Sequence, residues 1–135
     1  MSAIPKPSLA LIIPAALLLL SACGGESDEE RRERLHLPPP DYRADARHGA
    51  ELFAASCAEC HGQGARGGKA GPTLIHKYYE PSHHGDYSFH AAVRDGVKQH
   101  HWGFGDMPPQ PQISPTDAAD IIRYVRGLQV RAGIR

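Results

Sequence analysis

Apolar positions in this chain recur with helical spacing at its two ends and run together without interruption near its start. Ala46, Gly49, Ala50 and Phe53 follow an i, i+3, i+4, i+7 pattern. Asp45 stands just ahead of them, where a carboxylate caps the first helical turn. Ala118, Ile121, Ile122, Val125 and Leu128 mark one face of a second helix, with Tyr124 beside that face. Its start is written in Ser114-Pro115-Thr116-Asp117: a serine N-cap, a proline at the first helical position, and an aspartate that reaches back three residues later. This helix is expected to end near Gln129 to Arg131, with Gly133 as the stop. Between the two, Ser88 to Asp95 reads as a short helix capped by Ser88 and ended by Gly96. Gly62 to Gly71 (GQGARGGKAG) is too rich in glycine to be regular, and it follows no strand, so it is not a phosphate loop. No stretch sustains the two-residue alternation of a half-buried strand, and the fold class is therefore all-α.

The uninterrupted run is Leu9 to Leu20 (LALIIPAALLLL), preceded by Lys6. It falls short of the about 20 apolar residues that span a bilayer, and Pro14 breaks it, but it suits the core of an export signal. Leu20-Ser21-Ala22-Cys23 resembles a bacterial lipoprotein box. That resemblance implies a signal peptide over 1–22 and a lipidated Cys23 as the first mature residue, tying the protein to a membrane. An ordinary cleaved signal with an incidental cysteine and an uncleaved anchor are the alternatives.

Composition changes sharply after Cys23. Glu26 to Arg34 (ESDEERRER) is charged and almost without apolar residues, which predicts disorder or a frayed helix. Pro38-Pro39-Pro40 favours an extended, semi-rigid spacer. Residues 23–40 read as a tether, or as a solvated tail without a role. The rest, 41–135, is one domain, small for a self-sufficient core. Lys and Arg together number 15 and so do Asp and Glu, giving zero net charge, and no basic stripe points to nucleic acid. There are no internal repeats.

Chemistry concentrates in Cys57-Ala58-Glu59-Cys60-His61. Two thiols three positions apart with an imidazole directly after form the attachment signature of a c-type haem. Each thiol can add to one porphyrin vinyl group, and His61 is then held under the iron. A dithiol redox pair would call for a surrounding βαβ pattern, and a zinc site for a second ligand pair. Neither is present. The chain has three cysteines, so Cys23 is the one thiol left outside this motif. In an exported protein two free thiols tend to oxidise, and thioether attachment removes them.

Taken in order, the helix with Gly49 and Phe53, the CxxCH motif, Gly71-Pro72-Thr73-Leu74, the short helix closed by Gly96, Met107-Pro108, and the terminal helix with Tyr124 resemble a monohaem class I cytochrome c over about Asp45 to Gln129. The resemblance implies one covalently attached haem c and its iron, held by Cys57, Cys60 and His61, within the cytochrome c fold: first and last helices crossing, short helices and loops wrapped around the haem. It sets Gly49 and Phe53 against Tyr124 and Leu128. It makes Met107, the one methionine besides the initiator, the sixth ligand. The Pro72 carbonyl then orients His61, Leu74 packs on the porphyrin, and Trp102 lines the haem or serves as a loop anchor. Arg66 and Lys69 either neutralise a propionate or are plain surface charges.

The nine histidines are the part this pattern does not absorb. His100 and His101 rival Met107 for the iron. His83-His84 and His100-His101 could also hold a second metal such as copper, although adjacent histidines on a loop tend to point apart and need a third partner. The expected function is electron transfer, not catalysis, on the outer, periplasmic side of a bacterial membrane. Partners would be redox proteins of a respiratory chain or a periplasmic oxidoreductase, with no nucleic acid. Two alternatives stand beside it: a dedicated haem c subunit of a periplasmic dehydrogenase or reductase, and a ligand-binding or peroxidase-like haem with a labile sixth ligand.

Overall fold

The computed structural model describes residues 25–135, so the apolar run and Cys23 lie outside the described residues. Among the described residues five α-helices follow one another: α1 Asp28–Arg34, α2 Ala46–Ser56, α3 Ala58–His61, α4 Asp86–Asp95 and α5 Pro115–Arg131. Two 3-10 turns, Gln63–Ala65 and Lys77–Tyr79, lie between α3 and α4. Among the described residues there is no strand, only an isolated bridge between Val97 and Met107.

The predicted caps are made. The Asp45 carboxylate accepts from the backbone N–H groups of Arg47 and His48. Ser114 and Asp117 form a reciprocal capping box at the start of α5. Helix α5 ends at Arg131, followed by Gly133 with φ 82°. Helix α4 differs from expectation. It begins at Asp86 with Gly85 as N-cap, and Ser88 lies inside the first turn, its hydroxyl donating to the Gly85 carbonyl at 2.6 Å. The charged stretch, expected to be disordered or frayed, forms α1, because Ser27 and Glu30 make a full capping box and Glu26 pairs with Arg34 at 2.6 Å. The N-terminal segment also touches the domain: Arg94 donates to the Arg34 carbonyl at 2.6 Å, and His36 meets His90 edge-on at 6.4 Å.

The core forms where α2 crosses α5. Phe53 is 2% exposed, and Ala118, Ile121 and Val125 bury the facing side of α5. Phe53 packs on Tyr124 with ring centroids 5.6 Å apart, as the resemblance implied, and Leu128 packs against the same cluster. Gly49 meets a different partner. A Cβ there would lie 1.9 Å from the Asp120 carbonyl oxygen and 2.9 Å from the Ile121 nitrogen, so its contact is α5 backbone, not the Tyr124 or Leu128 side chains. The crossing is this close because the residue has no side chain.

Asp120 closes the same junction and is 1% exposed. Its carboxylate accepts from the Tyr42 hydroxyl at 2.9 Å, the Asp45 N–H at 2.7 Å and His48 Nδ1 at 2.8 Å. Burial opposes ionisation, but the hydrogen bonds from His48, Asp45 and Tyr42 prevail and hold its pKa below the ordinary aspartate value.

Candidate functional site

Cys57 is the junction between α2 and α3, and the rest of the CxxCH motif, Ala58–His61, is α3. The Cys57 N–H closes α2 on the Phe53 carbonyl at 2.9 Å, and its own carbonyl accepts from the His61 N–H at 2.9 Å. One helical turn therefore brings Cys57 and His61 to the same face. The glycine loop then folds back over the motif. Gly62 has φ 74°, and a Cβ on it would lie 2.0 Å from the Gly67 carbonyl oxygen. Cβ atoms on Gly68 and Gly71 would crowd the Cys60 carbonyl at 2.7 and 3.0 Å. This tight return delivers Pro72, whose carbonyl oxygen is 2.9 Å from His61 Nδ1. Nδ1–H donates to it, which leaves the lone pair on Nε2. Burial pushes the His61 pKa down, against the hydrogen bond to Pro72. The imidazole is thus neutral at neutral pH and free to ligate.

Beside His61 lies an apolar cavity of about 430 Å³. Cys57, His61, Pro72, Leu74, Trp102 and Met107 all line it. Sequence positions 57 to 107 thereby converge on one space. Met107 reaches it through paired backbone bonds with Val97, 2.9 Å in each direction. Gly96 permits this approach, since a Cβ on it would stand 2.3 Å from the Met107 carbonyl oxygen. Trp102 donates from Nε1 to the Tyr79 hydroxyl at 3.1 Å, so it is a wall of the cavity and an anchor of its loop together. Cys60 is exposed and is not part of the cavity lining, and Arg66 and Lys69 are likewise exposed and away from it. His100 and His101 do line it.

The thiols are free, with no disulfide between them. Burial, then the neighbouring Cys60, pushes the Cys57 thiol up to about 11. A redox dithiol needs the opposite shift, toward thiolate at neutral pH. Protonated thiol, neutral imidazole, thioether and apolar walls together suit a covalently held haem.

Residues 46–129 match the family described as Cytochrome c. The chain belongs to the cytochrome c family. As a member, the cytochrome has an all-α fold and carries covalently bound haem c with its iron. It is 33% identical over 84 residues to a Cbb3-type cytochrome c oxidase subunit CcoP of Rubrivivax gelatinosus, covering 59% of this chain and 25% of that protein. It is 33% identical over 101 residues to Cytochrome c-L of Methylorubrum extorquens, covering 73% of this chain and 46% of the relative. The cytochrome thus spans about half or less of the length of these relatives. Among its described residues no helix is long and apolar enough to cross a membrane.

Two residues that shape the site had no sequence expectation. Arg126 of α5 donates to the carbonyls of Tyr79 and His84 at 2.6 and 2.5 Å and pairs with Asp86 at 2.8 Å. It thereby ties the loop ahead of α4 to the terminal helix. Gln129, 1% exposed, donates to the Leu74 carbonyl at 2.8 Å and fixes the strip that carries Leu74. Both act on backbone carbonyls, which leave no mark in a sequence. On an amphipathic helix that also carries Asp117, Asp120, Arg123 and Arg131, nothing local singles the two out.

Proposed function

We propose that this cytochrome is a one-electron carrier whose haem c is attached through Cys57 and Cys60 and ligated by His61 and Met107. The observation that carries the reading is the convergence of an Nδ1-anchored His61 and Met107 on one apolar cavity. When bound, haem c supplies a ferric–ferrous couple. The chain's residues do the rest. Pro72 keeps His61 in the ligating tautomer and strengthens it as a donor. Met107 offers a soft thioether, which favours ferrous iron and raises the potential relative to a second nitrogen ligand. Leu74 and Trp102 exclude water. With His61 and Met107 both holding the iron, no open position would be left for substrate, so the role would be transfer rather than bond-making catalysis.

The same reading places the cytochrome outside the cytoplasm. Residues 1–22 act as a lipoprotein signal, Cys23 carries the lipid, and 23–40 tether the cytochrome c domain, 41–135, to the outer face of a bacterial membrane. Confinement there raises its effective concentration near membrane-bound redox partners. Cys23→Ser should release the protein into the soluble fraction. Retention on the membrane contradicts the lipid anchor.

A second reading is favoured by the likeness to CcoP, which is an oxidase subunit. Here the cytochrome serves as the dedicated haem c unit of one larger complex. A free carrier accepts electrons from several reconstituted donors, whereas a dedicated unit accepts them from one. The ligand assignment is tested by Met107→Ala. The variant should bind carbon monoxide readily, and its potential should fall by more than ~60 mV, the tenfold step of a one-electron couple. Unchanged redox behaviour refutes the assignment.

A further inference from the structure

The two histidine pairs left unexplained by the haem site meet in space. His83 and His84 come from the turn ahead of α4, and His101 comes from the segment ahead of Met107. One ring nitrogen from each lies within 4.8 Å of the other two. The missing third partner of the first pair is therefore supplied by the second.

The closest of the three nitrogen separations is compatible with coordination of one ion as well as with a long hydrogen bond. His83 Nε2 and His101 Nε2 face each other at 3.4 Å. Tetrahedral coordination at metal–nitrogen distances of about 2.0–2.1 Å separates two ligand nitrogens by about 3.3 Å. His84 is oriented for the same task. Its Nδ1 donates to the Tyr78 carbonyl at 2.5 Å, which leaves Nε2 with the lone pair, the outer-shell arrangement of metal-ligating histidines.

The rings are also held in place. The His84 backbone is pinned by Arg126, and the Tyr78 ring stacks on His101 at 4.5 Å with planes 19° apart. His83 is exposed, so solvent reaches the fourth position. His84 and His101 also line the haem cavity, which puts the cluster on its rim.

We propose that His83, His84 and His101 form a second metal site, for a divalent ion of the copper–zinc class, at the rim of the haem cavity. Three imidazoles without a carboxylate select borderline ions such as Zn(II) and Cu(II) over Mg(II) or Ca(II). The site goes beyond the haem reading and uses none of its proposed ligands.

The test uses the mature ferric holoprotein, purified without a polyhistidine tag. Calorimetric titration with Zn(II) should show one equivalent bound. Cu(II) should give an electron paramagnetic resonance signal split by nitrogen. His83→Ala should weaken Zn(II) binding at least tenfold and leave the haem spectrum unchanged, because His83 does not line the cavity. His48→Ala, a histidine bonded to Asp120 instead, should leave Zn(II) binding unchanged. Absence of stoichiometric binding overturns the site, as does equal affinity in His83→Ala or a loss of affinity in His48→Ala. The two proposals fail separately. No Zn(II) binding beside an intact sulfur-ligated haem spectrum sinks the metal site alone. A wild-type bis-imidazole spectrum that changes in His101→Ala puts His101 on the iron and sinks both.

Discussion

The cavity has two unlike walls. On the His61 side the chain is fixed by backbone against backbone: α2 against α5 at Gly49, and the glycine loop against Cys60. On the Met107 side an exposed loop is gathered by a few bonds. Its backbone pairs once with Val97, Gln110 donates to the Val93 carbonyl at 2.8 Å, and the Asp106 carboxylate accepts from Lys98 Nζ at 2.6 Å and the Gln99 N–H at 2.9 Å. The first wall leaves no room for change at Gly49, Gly62 or Gly68, where a Cβ would collide with main chain, whereas on the second only Gly96 is so confined and a Cβ on Gly103 or Gly105 meets nothing within 4 Å. The second can open at modest cost. A cytochrome built this way keeps His61 fixed and holds Met107, the proposed sixth ligand, by a tie that can be loosened.

The largest effect is expected at the rigid wall. Gly49→Ala forces α2 away from the Asp120 carbonyl, and overpacking of this kind costs on the order of 3 kcal/mol or more. Thermal unfolding of the holoprotein should show a fall in Tm of about 10 °C or more. A Tm within a degree or two of wild type breaks the claim that this crossing is incompressible.

Next comes the looser wall. Asp106→Ala removes the bonds to Lys98 and Gln99. It should loosen the loop with little change in global stability, because the pair is exposed and screened by solvent, and raise the affinity of the ferric haem for added imidazole by a few-fold. Loss of global stability in place of easier ligand exchange would show that the loop supports the fold, not the ligand.

The smallest effect is in pH dependence. The His48 pKa is raised from 6.5, first by its hydrogen bond to Asp120. Its contribution is therefore full below 6.5 and is lost as pH rises through the raised folded value. Asp120 is lowered from 3.8, so its contribution is present above 3.8 and is lost as pH falls through the lowered value. Stability should decline gently as pH rises above 6.5 through the raised His48 value in wild type, and this slope should flatten in His48→Ala. An unchanged slope would show that the pair does not steady the α2–α5 junction.

The rigid wall was the more legible of the two in the sequence. Its helices announce themselves through apolar spacing and through Asp45, Ser114 and Asp117, whose side chains cap their own helices a few residues away. The CxxCH motif, Pro72 and Leu74 follow in short order along the same stretch. What escaped was of a different kind. The N-cap of α4 is Gly85, which has no side chain to signal it. Asp120 finds Tyr42, Asp45 and His48 more than seventy positions back in the chain, so nothing local marks it. The histidine pairs were visible as pairs, but their meeting depends on how the loop around His84 is tied to α5 by Arg126. The resemblance set Gly49 against Tyr124 and Leu128, and its contact is the Asp120 backbone one turn earlier, because a family pattern tells which helices cross and not which atoms meet at the crossing.

The central claim is that Met107 closes a six-coordinate haem opposite a fixed His61. The ferric visible to near-infrared spectrum of the purified wild-type holoprotein tests it most directly. A low-spin spectrum with a sulfur-to-iron charge-transfer band, absent in Met107→Ala, is the predicted result. A wild-type ferric spectrum without that band, whether high-spin or bis-imidazole, contradicts it.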